Sequence, residues 1–462
     1  MKKNDTFTGQ AEDYTYEGAG VVHSDDFVFF VPGLLAGEKA ELGITSLKKN
    51  YGYARIVQLL EASPERRTPE CSVYKQCGGC QLLHMSYTEQ KAFKENKVRG
   101  CFRMNAGMEV DVLPILTTEH TQAYRNKVQI PVQLDHGRVK MGFYRSRTNE
   151  IAEFDHCLVQ TELSNEIIQR LRKLLDTYHC AENIRYVLIK HAHLTDELMI
   201  CFVVRRYPFR NAEKLKEAVI AAWPQLKSLS VIVNHRDDNV ILDGKETLLY
   251  GQPYIEEELL GKRFRISVRS FYQINPYATA VLYKKALELA ELKKEDILID
   301  LYCGTGTIGL IASDQVKKVY GIEVVPDAVK DARINAQANG ITNVEFMTAD
   351  AQVGANALLQ RNIHPDVVIV DPPRKGCSKE TLKAILKMAP DRFVYVSCDP
   401  ATLARDVAFM TENGYDLRVV QPVDLFPGTF HCETVCLLYH QKKDFISVPY
   451  EPKNASYMKT MQ

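Results

Sequence analysis

Ile297-Leu298-Ile299-Asp300-Leu301-Tyr302-Cys303-Gly304-Thr305-Gly306-Thr307-Ile308-Gly309 passes from an apolar run directly into three spaced glycines. A run without polar alternation reads as a strand buried on both faces. Glycines at this spacing after a strand read as the turn that opens a helix, because side chains there would block close approach of a ligand. Further apolar runs follow at Lys318–Glu323, Val344–Met347, Val367–Asp371 and Phe393–Ser397, with helical stretches between them. Strands alternating with helices make a parallel sheet covered on both faces. Two more strands, near Leu417–Val420 and Val435–Tyr439, close the sheet as a hairpin-like pair, and Pro276 opens a helix in front of it that runs to about Leu292. The expectation is a Rossmann-like α/β domain of seven strands over residues 267–462.

Upstream the pattern changes. Gly20–Val22, Phe27–Val31, Lys39–Ile44 and Tyr53–Val57 are short runs separated by glycines, Pro32 and polar clusters, which reads as a small all-β barrel over 1–64. The polar, proline-flanked segment Ala62–Pro69 is a linker. Residues 65–266 read as a mixed α+β central domain. They hold a cysteine-rich stretch, a charged helix from Tyr87 to about Arg103, and a periodic helix from Glu162 to Tyr178.

The length of 462 residues agrees with two to four domains. Lysine plus arginine and aspartate plus glutamate both total 58, which excludes binding of nucleic acid by bulk charge and leaves local basic patches open. No run reaches the roughly 18–20 apolar residues of a membrane span. The start, Met1-Lys2-Lys3-Asn4-Asp5-Thr6, has no apolar core behind its lysines, so a signal peptide is not expected and a cytoplasmic setting is. In that reducing compartment the 12 cysteines read as thiols, metal ligands or nucleophiles.

Glu323 lies 19 residues after Gly304, at the end of the next strand, where a carboxylate can accept bonds from both hydroxyls of a ribose. A nucleoside-containing cofactor follows, either a nicotinamide or S-adenosylmethionine. Asp371-Pro372-Pro373-Arg374 decides for the second: two prolines present Asp371 rigidly at the carboxyl end of the fourth strand, a turn frequent in methyltransferases acting on nucleobases. Cys398 ends the fifth strand, with Asp399 as N-cap and Pro400 in the first turn of the following helix. A helix N-terminus and a crevice mouth both favour thiolate, although Asp399 opposes it. A thiolate beside a methyl donor suggests addition to carbon 6 of uracil, which makes carbon 5 nucleophilic. A base must then remove the carbon-5 proton. Glu433, in Phe430-His431-Cys432-Glu433-Thr434, is the candidate.

These segments resemble the RNA uracil-5-methyltransferases that use S-adenosylmethionine. The match is carried by Phe271–Asn275, Asp300–Gly306, Asp371–Gly376, Ser397–Pro400 and His431–Glu433. The resemblance implies that Gln273, Tyr302, Glu323 and Asp371 bind the cofactor together with the turn at Gly304 and Gly306, that Cys398 is the nucleophile, and that Glu433 is the base. Tyr302 is often phenylalanine in that family and Cys432 often apolar; neither departure touches the chemistry. The first ~60 residues resemble the OB-like TRAM barrel that precedes many members. There Lys48–Arg55 interleaves cations and rings as single-stranded RNA contact requires. Tyr124-Arg125-Asn126-Lys127 is a second candidate RNA contact.

Cys71, Cys77, Cys80 and the distant Cys157 supply four soft ligands. Zinc sites usually come as two close pairs, and three local cysteines plus one distant one suit an iron–sulfur cluster better. Zinc and unrelated thiols stay open on spacing alone. The resemblance points to a [4Fe–4S] cluster on these four residues, and to 23S rRNA as substrate of a monomeric enzyme, since transfer-RNA members often lack both barrel and cluster. The alternatives are a tRNA uracil-5 methyltransferase, a cytosine-5 enzyme, and a non-catalytic iron–sulfur RNA-binding protein. Ser397 stands against the cytosine-5 reading, because those enzymes carry proline or threonine before the nucleophile.

Overall fold

In the N-terminal strands apolar residues point inward and polar ones largely outward, which lets a short sheet close around a core of its own. The computed structural model describes residues 1–24 and 27–441. Thr6–Tyr14, Gly20–Ser24, Phe27–Val31, Lys39–Leu47 and Tyr51–Glu61 form a closed barrel around Val22, Phe29, Val31, Leu42 and Ile44. At Gly52 a Cβ would meet the Phe29 ring at 2.6 Å, so the core ring excludes any larger residue. Thr6–Tyr14 is a strand that the sequence reading did not name. Its inward positions are Phe7, Gly9 and Ala11, too little apolar surface to stand out among Thr6, Thr8, Gln10 and Glu12. Glu38, 1% exposed, seals the barrel onto the linker by accepting from the Leu35 and Ser63 amides and pairing with Arg66.

Helix α1 (Tyr87–Ala106) is capped by Ser86, whose hydroxyl accepts from the Glu89 amide. A central seven-stranded sheet follows, packed against α2 (Glu162–Thr177) through Ile167, Ile168, Leu171 and Leu175. A second helix, α3 (Ala212–Ala222), buries little besides Leu215 and Val219, and so shows weak periodicity in sequence.

The third sheet is entered through α4 (Pro276–Ala290), with Asn275 as N-cap. Its strands are β1 (Ile297–Leu301), β2 (Lys318–Glu323), β3 (Val344–Thr348), β4 (Val367–Val370), β5 (Arg392–Ser397), β6 (Tyr415–Val423) and β7 (Glu433–His440). They lie in the order β3-β2-β1-β4-β5-β7-β6, with β1 to β5 parallel and β7 inserted antiparallel between β5 and β6. This is the Rossmann-like sheet that the apolar runs imply. Residues 442–462 of the expected third domain lie outside the described residues.

The β6–β7 connection, residues 424–432, is held from several directions. Lys94 of α1 donates to Asp424 Oδ1 at 2.6 Å and to the Phe426 carbonyl at 3.0 Å, and both charged side chains are fully buried. Lys97 donates to the Phe430 carbonyl at 2.8 Å, the Tyr124 hydroxyl to the Pro427 carbonyl at 3.0 Å, and Asn275 Nδ2 to the Leu425 carbonyl at 2.9 Å. The Gln81 and Leu82 amides both donate to the Gly428 carbonyl. Removing one partner of a buried ion pair strands the other charge in a low-dielectric interior. Lys94→Ala is therefore expected to cost ~3–5 kcal/mol, read as an earlier urea transition of the full chain. A shift no larger than that of an exposed control such as Lys214→Ala would refute this.

Candidate active site

The carboxyl ends of β1, β2, β4 and β5 form one edge, and the register decides which residues meet there. Leu301 pairs with Ile322 and with Val370, so the next residues along, Tyr302, Glu323 and Asp371, lie side by side. Ser397 pairs with Thr434 across the antiparallel β5–β7 ladder, which sets Cys398 opposite Glu433.

Three glycines follow β1, each with a different cause. Gly304 has φ +55° and a Cβ there would point into open space, as close approach of a ligand requires. Gly306, at φ +81°, N-caps α5 (Thr307–Ala312), and a Cβ would strike the Phe346 ring at 2.8 Å. Both the Phe346 ring and the positive φ demand a glycine here. Gly309 brings α5 against β1, and its amide donates to Asp300 Oδ2 at 2.9 Å. Glu323 holds the turn from the other side, accepting from the Gly304 amide at 3.1 Å and the Val325 amide at 2.8 Å.

Asp300 was quoted in sequence only as part of a motif, and the structure gives it a distinct place. It is 1% exposed, and its Oδ1 has no partner among the described residues. Burial, reinforced by the Asp371 and Glu323 charges, pushes its carboxyl up to about 8. An acid inside an otherwise apolar strand was the signal in sequence. Burial likewise pushes Asp371 up to about 7, and Glu433 up to about 8 with the Asp371 charge adding to the effect. Arg374 is the opposing cation: it lowers Glu433 and Cys398 and lies 3.4 Å from His431 Nε2.

The Asp399 cap forms as the sequence implies, accepting from the Ala401 and Thr402 amides of α6 (Pro400–Thr411). The expected thiolate does not. Burial, then Glu433 and Asp371, push the Cys398 thiol up to about 12, outweighing Arg374. The free protein holds a neutral thiol.

Gln273 sits on the loop before α4. Its carbonyl accepts from Asn126 Nδ2 at 3.3 Å, and its side chain faces the Tyr283 hydroxyl, which also senses Asp371. Gln273, Tyr302, Gly304, Glu323, Asp371, Cys398 and Glu433 are thus gathered around one edge, with Gly306 packed behind it. The segment Tyr124–Lys127 alternates, with Arg125 and Lys127 half-buried and the residues between them turned inward. Tyr124 and Asn126 are buried, and the Asn126 amide donates to the Ile274 carbonyl at 2.9 Å. Their hydrogen-bonding reach is spent on the interior. Tyr51, Tyr53 and Arg55 of the barrel do face outward.

Cys71, Cys77, Cys80 and Cys157 line one cavity of about 400 Å³, walled by Phe143 and Phe154 and flanked by Arg125 and Lys127. Burial and the three neighbouring thiols push Cys80 up to about 12. Among the described residues no group of three or more His, Cys, Asp or Glu side chains is set to clasp a single metal ion. A lone zinc would draw its sulfurs to bonds of about 2.3 Å. A cluster binds each thiolate at a separate iron and keeps them further apart. The four thiols share the lining of one chamber, and neither arrangement is formed among the described residues.

A family profile described as tRNA (uracil-5-)-methyltransferase matches residues 86–441. The chain belongs to this family. An uncharacterized RNA methyltransferase of Halalkalibacterium halodurans is 40% identical over 447 residues, covering 95% of this chain and 98% of that protein. One from Listeria innocua is 41% identical over 450 residues, covering 95% and 98%. The crystal structure of Pyrococcus abyssi tRNA (uracil-54, C5)-methyltransferase in complex with S-adenosyl-L-homocysteine superposes with a TM-score of 0.73 at 26% identity, over 93% of this chain and 99% of that one. The chain is thus an RNA methyltransferase of the uracil-5 family.

In this uracil-5 methyltransferase family member burial raises the Cys398 thiol first, and the flanking charges adjust it. Above neutral pH, where Asp371 is ionised, Asp371→Asn removes a negative charge and should lower the Cys398 pKa. Arg374→Gln removes a positive one and should raise it. Iodoacetamide labelling of Cys398 at pH 9 is expected to run several-fold faster in the first variant and slower in the second. Equal rates would remove the electrostatic account.

Proposed function

We propose that this protein methylates carbon 5 of a uridine in RNA through a covalent adduct between Cys398 and carbon 6. The observation that carries this is the β5–β7 register, with a thiol and a carboxyl on facing positions beside Asp371. Carbon 5 of uracil is a weak nucleophile. Cys398 Sγ releases its proton to water and adds to carbon 6; the carbon 5–carbon 6 double bond opens and its electron pair passes to the carbon-4 oxygen as an enolate. S-adenosylmethionine, when bound, supplies the electrophilic methyl group. Glu433 then takes the carbon-5 proton, the double bond re-forms and Sγ leaves. A carboxyl near 8 is well matched to abstracting a proton close to neutral pH. Because carbons 5 and 6 are approached from the ring face and edge, the target base is extruded from its stack.

For the methyl donor we assign Gln273, Tyr302, Gly304, Glu323 and Asp371 to its binding, with Gly306 shaping the turn. A carboxylate has about four acceptor sites, so the two amide bonds of Glu323 leave capacity for ribose hydroxyls. The unpartnered Asp300 Oδ1 adds an acceptor behind the same turn. The four chamber cysteines are assigned to a [4Fe–4S] cluster with a structural or RNA-orienting role. The domains are taken as 1–64, 65–266 and 267–462, in a monomeric cytoplasmic enzyme; among the described residues no helix is long and apolar enough to cross a membrane.

For the substrate we favour 23S rRNA, on the family pattern of a barrel joined to a cysteine cluster. Transfer RNA is the second reading. The neighbour whose name specifies tRNA uracil 54 aligns over 93% of this chain, and so reaches into the barrel as well as the catalytic sheet.

RNA containing 5-fluorouridine should trap the adduct, because Glu433 cannot abstract fluorine. The adduct is expected in wild type and absent in Cys398→Ala; its persistence there would remove the nucleophile assignment. Glu433→Gln should transfer methyl and stall on release, and normal turnover would dismiss it as base. Mapping 5-methyluridine in ribosomal and transfer RNA of a deletion strain separates the two substrates. Anaerobically purified protein should contain iron and acid-labile sulfide, both lost in Cys80→Ala; an iron-free, fully active wild type would overturn the cluster.

A further inference from the structure

Tyr16 lies in the turn between the first two barrel strands, far in sequence from Cys398, yet it reaches the same edge of the catalytic sheet. Its ring receives Lys97 Nζ at 3.5 Å from the ring centroid and lies 6.4 Å from the Phe430 ring. Phe430 in turn lies 4.3 Å from His431, and His431 lies 6.0 Å from Phe426. The rings of Tyr16, Phe430 and His431 thus run from the barrel to a point two residues before Glu433. Tyr16 remains 38% exposed, Phe430 and His431 are half-buried, and a cation stands at each end, Lys97 beneath Tyr16 and Arg374 beside His431. The Tyr16 phenol neighbours Asp399, the residue after Cys398, and burial followed by that charge push the phenol upward.

A core has no use for such an arrangement. Lys97 Nζ has been brought out of water to lie against two rings and a carbonyl, and the faces left open belong to aromatic side chains. Lys97 is spent holding the rings in place, and the exposed cation at the far end is Arg374. Successive open ring faces with a cation alongside are what unpaired nucleotides require, faces for bases to stack on and positive charge for a phosphate. A base extruded toward Cys398 leaves its neighbours in the strand without a stacking partner on one side.

We propose that Tyr16, Phe430 and His431 form a stacking track for the nucleotides flanking the target uridine, with Tyr16 supplied by the barrel as a substrate-binding residue of the active-site rim. The track rests on the reading that an RNA uridine reacts at Cys398. It makes the barrel a part of the catalytic mouth as well as a module with its own outward surface at Tyr51 and Tyr53.

The test uses the full chain and total RNA from a strain lacking the protein. Tyr16→Leu keeps much of the side-chain volume and loses the aromatic face. Its KM for RNA should rise about ten-fold, since stacking contributes roughly 1–3 kcal/mol per base, with kcat and the KM for S-adenosylmethionine within two-fold of wild type. Tyr16→Trp should restore the RNA KM. An unchanged RNA KM, or a loss confined to kcat, would overturn the track. A second measurement needs no variant. RNA carrying both 5-fluorouridine and 4-thiouridine is trapped on the wild-type protein and irradiated in the near ultraviolet. Crosslinks are expected in peptides containing Tyr16 or Phe430–His431, and crosslinks confined to other peptides would count against the proposal. Failure of wild type to form any 5-fluorouridine adduct would instead overturn the underlying function.

Discussion

In the ladder between β5 and β7, Ser397 faces Thr434, and the chemistry at this edge hangs on that pairing. Side chains on a strand alternate between faces, so a slip of one residue would turn Glu433 away and offer a different neighbour to Cys398. The register is held because β7 is interior to the sheet. It pairs with β5 on one side and β6 on the other, and Val435, Cys436, Leu437 and Leu438 are all fully buried. Moving β7 by one position would carry its apolar set out of two cores at once. The antiparallel insertion is what brings a carboxyl from near the chain's end beside a cysteine on the preceding parallel strand.

Around that pair the protein has gathered buried carboxyls that give up their protons reluctantly, with little positive charge to help them ionise. Asp300, Asp371 and Glu433 all have raised carboxyl pKa values, and Arg374 is the cation acting on the last of them and on the thiol. Such a site is poised to receive positive charge, and a sulfonium-bearing donor has the complementary sign. The neutral Cys398 of the free protein then makes sense. A thiol held neutral by its surroundings is less open to oxidation, since it is the thiolate that reacts.

Much of this was legible in the chain because local rules agreed with the global fold. The five parallel strands are long apolar runs, and Asp399-Pro400 and Asn275-Pro276 are helix starts that the structure uses as written. Gly304 and Gly306 were legible as a turn but not in their separate causes, because Phe346, the residue that forbids a side chain at 306, lies 40 residues away and meets it only in the fold. The neutral state of Cys398 could not be read, since it depends on carboxylates brought from β4 and β7. The first barrel strand and α3 were hidden by how few apolar residues they bury. In Tyr124–Lys127 the alternation of buried Tyr124 and Asn126 with half-buried Arg125 and Lys127 could not be read, because cations and a ring near one another describe an RNA surface and a packed junction equally well until burial is known.

The β6–β7 connection carries a consequence for how the protein is made. Lys94, Gln90 and Tyr124 find their partners in Asp424, Gly428 and Pro427, more than 300 residues later. At about 5–20 residues per second of synthesis, the lysine emerges on the order of tens of seconds before its carboxylate. Through that interval α1 must keep Lys94 hydrated or covered by something else, and the nascent chain cannot close the junction between its halves. A ribosome that stalls or terminates early would release a product lacking the stretch that ties its parts together, with Lys94 and Gln90 of α1 left without these partners.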